Sequence, residues 1–332
     1  MVFNACSDQV DLQSLSCNKD ALYSPKLITV GEAFSYQENP HTIFIEVSKS
    51  DEYLSGHLPN ALQVWRPDFR NKVASPFTGM RCSASELTTF LQTLGVEKNS
   101  KLILYDAKGG CDAMRLAWVF DYYGYKSYQV INGGKVAWVQ AGFSLSRNPE
   151  KAISKPDFVF DPQVDSSYLA TVEDVQKGIL DKQTIIVDTR ESYEYAGQCF
   201  TSNNEVLAYK KGAFSRGCIS TAVHLNWSDL SDLEEDHRVK CEKDLRYNLA
   251  QKGITQDKQI IVYCQSGSRS SHTAFVLREI LDFPNVKNYD GSWIEWSYNA
   301  SQDNSFLIDK LTSQEDFEVA FRNYLEEGKV EL

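Results

Sequence analysis

The sequence predicts an α/β protein of two like domains in tandem, each a parallel sheet flanked by helices on both faces. Three observations predict it. Apolar, β-prone runs alternate with segments of helical period, the pattern of parallel strands joined by crossover helices. The chain also repeats itself: Leu102-Ile103-Leu104-Tyr105-Asp106 matches Ile260-Ile261-Val262-Tyr263-Cys264 at a separation of 158 positions. The same separation pairs Gly95-Val96 with Gly253-Ile254, Gly133 with Gly291 and Trp138 with Trp296. Finally, 332 residues, 42% of them hydrophobic, can bury a sizeable core in each of about two domains.

Taken in order, residues 1–24 are polar, lack a clear period and read as an extension. The first domain is expected over 25–146. Val30-Gly31-Glu32-Ala33-Phe34 opens a short helix, and Ile43–Val47 is a strand. Gly56-His57-Leu58-Pro59-Asn60-Ala61 is a turn into a further strand. Leu87, Leu91 and Leu94 mark an amphipathic helix capped by Ser85 and ended by Gly95. Leu102–Tyr105 is a central strand, Met114–Tyr122 the helix after its loop, and Tyr128–Ile131 the last strand. Pro149 and Pro156 among charges place a linker over 147–158. The second domain, 159–305, repeats the plan. Thr42–Val47 matches Thr184–Thr189 at 142 positions, so the second copy carries extra residues after Arg190, expected as a loop holding Gly197 to Gly212. So long a period means two domains and not a solenoid. Residues 306–332 read as a charged tail, in which Phe317, Phe321 and Leu325 suggest a helix on the body.

The charge balance excludes some partners. Thirty-four basic against 45 acidic residues leave a net charge of −11, which argues against nucleic acid or an anionic membrane. A small anionic substrate would need a local cationic pocket. No apolar run reaches transmembrane length and the N-terminus does not resemble a signal peptide, so the expected location is cytoplasmic, with a periplasmic protein freed of its leader as the alternative. Eight cysteines are scattered without CxxC spacing, and no metal site is expected. Most are expected to be reduced packing residues; Cys6 and Cys17 would pair only in an exported protein.

One cysteine stands apart. Ile260–Tyr263 is a short buried strand, Cys264 follows it, and after a tight loop Ala274, Leu277, Ile280 and Leu281 fall on one helical face. Cys264 therefore lies at the carboxyl end of a strand, the edge where open α/β sheets bind ligands. Main-chain N–H groups of such a loop point inward as an anion nest, and the helix start adds partial positive charge. A thiol of pKa about 8.5 falls to roughly 3.5–7.5 in such surroundings. Arg269 adds a fixed cation. A structural cysteine would need neither Gly267, Arg269 nor the helix.

Tyr263-Cys264-x-x-Gly267-x-Arg269 before a helix resembles the active-site loop of rhodanese-type sulfurtransferases, and Tyr289-Asp290-Gly291-Ser292-Trp293-Ile294-Glu295-Trp296 is similar to the family's closing signature. Gly56-His57-Leu58-Pro59-Asn60-Ala61 resembles its Gly-His-Ile-Pro-Gly-Ala. The resemblance implies a two-domain enzyme with one active domain. It also implies a double displacement in which Cys264 takes sulfur from thiosulfate or 3-mercaptopyruvate and passes it to cyanide or a thiol, without metal or cofactor. A protein acceptor is left open. The first domain has Asp106 where the second has Cys264, and a carboxylate cannot hold transferable sulfur, so that domain is expected to be silent; Cys111 nearby is read as packing.

Gln265, Ser266, Gly267 and Ser268 are expected to cradle the donor. Arg190, in an Asp-x-Arg motif with Asp188, is the first choice to bind its oxyanion, since arginine grips such groups in two-pronged fashion. Arg269 comes second and Arg216 third, while Asp188 is expected to fix backbone and arginines. His57 matches a family histidine able to face the interdomain cleft, although a lone histidine is more often a satisfied turn residue. Gln265 and Ser266 are nearer the mercaptopyruvate-type loop, and Arg269 the thiosulfate type. Gly217-Cys218-Ile219-Ser220-Thr221-Ala222 lacks the His, Pro and Gly of its first-domain counterpart. Two rival readings stand. Cysteine phosphatases and arsenate reductases of related fold need one more loop residue than the four between Cys264 and Arg269. A persulfide carrier or interaction module would keep the fold without the turnover. The enzyme reading requires amides aimed at the sulfur and a path from solvent to it.

Overall fold

The computed structural model describes residue 19 and residues 24–72, 77–197 and 212–309. The first domain runs β1 (Leu27–Ile28), α1 (Val30–Ser35), β2 (Thr42–Val47), α2 (Ser50–Ser55), β3 (Ala61–Val64), α3 (Ala84–Thr93), β4 (Lys101–Tyr105), α4 (Cys111–Tyr123), β5 (Tyr128–Ile131) and α5 (Gly134–Gln140). The second runs β6 (Leu169–Ala170), α6 (Val172–Leu180), β7 (Thr184–Asp188), α7 (Ser192–Tyr195), β8 (Cys218–Ile219), β9 (Val223–His224), α8 (Glu242–Gln251), β10 (Gln259–Tyr263), α9 (Ser268–Phe275), β11 (Val286–Tyr289), α10 (Ser292–Gln302) and β12 (Ile308–Asp309).

Each domain is a five-stranded sheet with every pairing parallel, in the orders β1-β5-β4-β2-β3 and β6-β11-β10-β7-β9. β4 and β10 are central in their sheets, so their residues are buried on both faces. That explains the unbroken apolar runs that carried the repeat. The register is also repeated: Tyr105 lies opposite Glu46, and Tyr263 opposite Asp188.

The helices that follow the central strands, α4 and α9, pack on each other. They join the two domains in one apolar core that includes Met114, Leu116, Trp118, Ala274, Phe275 and Leu277. A smaller core lies on the other face of each sheet, around Trp138 in the first domain and Trp293 and Trp296 in the second. Both active-loop regions therefore end at the domain interface.

Three expectations change. The cap of α3 is Ser83, not Ser85. Ser83 lies three residues before Glu86, so its hydroxyl accepts the Glu86 N–H while the Glu86 carboxylate accepts the Ser83 N–H. Ile308–Asp309, inside the stretch read as a helical tail, is a strand antiparallel to β8, and Phe306 packs on Trp296. Phe317, Phe321, Leu325 and the loop interior after Gly197 lie outside the described residues, as do Cys6, Cys17 and Cys199. Cys82, Cys111, Cys218 and Cys264 are free and buried, whereas Cys241 is disulfide-bonded and not a reduced packing residue.

Candidate active site

Cys264 leaves the end of β10 and the chain turns through Gly267, at φ +81°, into α9. A Cβ at Gly267 would come within 2.8 Å of the Asp290 carbonyl and 2.9 Å of an Arg115 nitrogen, so only glycine fits. From behind, the segment after β11 occupies the loop's own carbonyls. The Trp293 N–H donates to the Cys264 oxygen at 3.0 Å and the Ile294 N–H to that of Gln265 at 3.1 Å. Loop amides are left to face the sulfur. Burial pushes the Cys264 thiol up, but the Arg269 charge and the main-chain N–H groups of Ser270 and Ser266 outweigh it, and the thiol is held below its ordinary value.

Asp106, at the matching point of the first domain, shows the same cradle filled. Its carboxylate accepts from the N–H groups of Lys108, Gly110, Asp112 and Ala113 at 2.7–3.0 Å. Lys108 and Asp112 lie 158 positions before Ser266 and Ser270, two of the residues whose main-chain N–H groups lower the Cys264 thiol. Cys111 takes the place of Arg269 in that repeat, and burial pushes its thiol well above the ordinary value.

The expected cations are mostly spent elsewhere. Arg269 makes a two-pronged pair with Glu194, at 2.5 and 2.9 Å, and so ties the loop to α7 while lending its charge to the thiolate. Arg190 is buried, with both Nε and Nη2 on Asp188 and Nη2 on the Gly217 carbonyl at 2.8 Å. Tyr263 completes this group, donating to Asp188 at 2.5 Å and accepting the Ile219 N–H at 3.0 Å. The first domain has the same arrangement. Lys135 pairs with Glu46 at 2.6 Å, and Tyr105, beside Glu46, accepts the Leu58 N–H at 3.0 Å. The group thus recurs in the domain that carries Asp106, and in this structure Arg190 is fully engaged by Asp188 and Gly217. Arg216 is exposed. His57 is fully buried, stacked on Tyr53, with its ring nitrogens on the carbonyls of Tyr53 and Asn148. Its contacts hold the turn to the linker. Cys218 is buried in β8 and its thiol is pushed up to about 12 by burial.

Cations at the loop come instead from the first domain, in the stretch after β3. Arg66 pairs with Asp112, and its charge is also felt by Cys264. Arg70 reaches the active-site loop itself, donating to the Ser268 hydroxyl at 3.2 Å. Its Nε is buried without a partner, and no carboxylate among the described residues pairs with it. Burial and the neighbouring Arg115 and Arg66 lower Arg70 to about 10. The Asp112 and Asp290 carboxylates act on Arg70 from a distance but are paired with other arginines, so its guanidinium has room for an anion. Sequence reasoning missed it because its neighbours are nearly 200 positions away; the available signal was a basic residue just past the carboxyl end of a strand, on the edge where Cys264 lies.

The sulfur itself is covered. Cys264 is only 1% exposed, and Gly79 approaches so closely that a Cβ there would lie 2.9 Å from the Ser266 Cβ. The open path expected from the sequence is not present in this arrangement. The Arg70 and Gly79 side of the interface would have to yield to a donor. Gln265 and Ser268 are likewise buried, and Ser266 is half-buried.

Known proteins agree with this architecture. The Rhodanese-like domain model matches residues 29–141 and again 171–299. The chain is 32% identical over 276 residues to a sulfur carrier protein, TtuD, of Thermus thermophilus, covering 81% of this chain and 93% of that one. It is 30% identical over 274 residues to a putative thiosulfate sulfurtransferase of Mycobacterium tuberculosis, covering 81% and 94%. Among solved structures, EanB in complex with ergothioneine superposes with a TM-score of 0.73 at 22% identity, over 87% of this chain and 71% of that one, a likeness of fold. With a matching domain in each half, the chain belongs to the rhodanese-like family.

Proposed function

We propose that this protein transfers sulfane sulfur through Cys264, with a small oxyanionic donor such as thiosulfate or 3-mercaptopyruvate and with cyanide or a thiol as acceptor. The Cys264 thiolate attacks the outer sulfur of thiosulfate; that sulfur–sulfur bond breaks and sulfite leaves with the electron pair. The new Cys264 persulfide carries its negative charge within the loop amides. Cyanide then attacks the outer sulfur, thiocyanate leaves, and the thiolate returns. Atoms and charge balance without metal, cofactor or oxidant. Arg70, with Arg66 beside it, receives the donor's anionic end, and the donor displaces Arg70 from Ser268.

The observation that carries this reading is the thiol lowered by its own loop beside a guanidinium without a carboxylate. Intact mass after incubation with thiosulfate or mercaptopyruvate tests it: the chain gains one sulfur atom, loses it to cyanide, and C264S gains none. Sulfur uptake by C264S would end the assignment. A carrier role, which the TtuD name suggests for that relative, predicts loading without turnover on small acceptors. The disulfide at Cys241 favours an oxidising compartment over the cytoplasm. No helix among the described residues is long and apolar enough to cross a membrane.

A further inference from the structure

Arg115 belongs to the domain without a nucleophile, yet most of its contacts are with the other domain or with the wall between them. Its guanidinium is fully buried on α4. One nitrogen donates to the carbonyl of Gly267, at 3.3 Å, and to the Ser271 hydroxyl, at 3.4 Å. The other donates to the carbonyl of Gly79 at 3.3 Å and pairs with Asp290 at 2.6 Å. Asp290 also accepts from the main chain and side chain of Arg81, at 2.9 and 3.1 Å.

These contacts meet at two places that matter. Gly267 is the left-handed turn between Cys264 and α9, and its orientation decides where the amides of the loop point. Gly79 is the residue that presses on Ser266, next to the stretch that supplies Arg70. A single planar cation therefore fixes the cradle on one side and the donor wall on the other. A fork of nitrogens can hold both, whereas a point charge can hold one.

We propose that Arg115, braced by Asp290, is a positioning residue for the sulfur-transfer site: the first domain sets the orientation of the loop that surrounds Cys264. The proposal rests on the sulfurtransferase reading only for its kinetic arm. Within the interface a comparison is available. Lys26 also ties the domains, pairing with Asp121 and with Glu279 at 2.9 Å, but touches nothing in the loop.

The experiment follows the rate of Cys264 alkylation by iodoacetamide against pH in the full chain, with thermal unfolding as a check on folding. Arg115→Lys is expected to move the midpoint of that profile upward by about half a unit or more. It is also expected to lower kcat/KM for sulfur transfer. Lys26→Met is expected to lower Tm and leave the profile in place. If R115K does not fold, R115Q takes the same measurement, since Asp290 keeps its pair with Arg81. A wild-type profile in the folded variant overturns the proposal. So does a shift of equal size in K26M. Failure of the sulfurtransferase reading would look different, as wild-type protein that gains no sulfur while the R115K profile still moves.

Discussion

Asp106 stands where Cys264 stands, one repeat earlier, and fills with its own carboxylate a ring of amides matching the one around the Cys264 sulfur. Four main-chain N–H groups converge on Asp106. The loop of the first domain is thus an anion site with a permanent occupant, and that of the second is the same site carrying a nucleophile. At the end of the central strand the two loops differ by a carboxylate in place of a thiol.

Asp106→Ala should therefore cost stability without silencing the protein. It takes the acceptor from four main-chain donors, three of them buried, and charge-assisted bonds of this kind contribute about 1.5–3 kcal/mol each before water makes good part of the loss. A fall of about 3 kcal/mol in unfolding free energy by urea titration is expected, with sulfur loading of the folded protein intact. Loss of loading equal to that of C264S would contradict the assignment of a silent domain.

Much of this was legible in the sequence. Both central strands announced themselves as unbroken apolar runs, and the 158-residue separation placed Asp106 and Cys264 on equivalent loops before any coordinates. Gly267 was readable because a turn into a helix needs that residue. What could not be read was adjacency between domains. Arg70 meets Ser268, and Arg115 meets Asp290, only because α4 and α9 pack together, and no local pattern encodes that. Arg190 illustrates a related point: an arginine after an aspartate suits an oxyanion, but in this structure it is held by Asp188, two residues back. The matching Glu46 and Lys135 are 89 positions apart, and their pairing is visible only in three dimensions.

Exchanging the roles of two arginines is the sharpest kinetic test. Arg190→Lys loses a two-pronged buried pair and should lower stability by about 3 kcal/mol, with donor KM within about twofold of wild type. Arg70→Met removes a half-buried cation that has no carboxylate, so Tm should hold or rise. Its donor KM should increase about tenfold or more, as loss of a charge-assisted contact requires. Steady-state kinetics with thiosulfate and with mercaptopyruvate would decide, and the opposite pattern would return the donor to Arg190.

Charge at Cys264 should also be visible in stability. The folded thiol is lowered, so its contribution is complete above the ordinary thiol value and is lost as pH falls through the folded value. Wild type minus C264S stability should therefore grow as pH rises between those two points. Arg269→Gln removes the largest source of the lowering and should move both this window and the alkylation midpoint upward. An unmoved midpoint in R269Q would leave the main-chain amides as the cause.

His272 gives a second pH signature, at the interface itself. It is fully buried on α9 and its Nε2 lies 3.1 Å from both the Gly109 carbonyl and the Ser231 hydroxyl, while Nδ1 has no partner. Burial lowers it to about 4 from 6.5, so the folded protein keeps it neutral in a range where the unfolded chain protonates. The unfolded state then binds the extra proton, and stability rises with pH through that range. Its contribution, about 3 kcal/mol from the size of the shift, is complete above pH 6.5 and lost as pH falls to 4. Urea unfolding at intervals of pH should show that slope in wild type and not in His272→Gln. Because His272 meets the loop of the first domain and Arg115 that of the second, H272Q should weaken the interface while leaving the Cys264 alkylation profile in place.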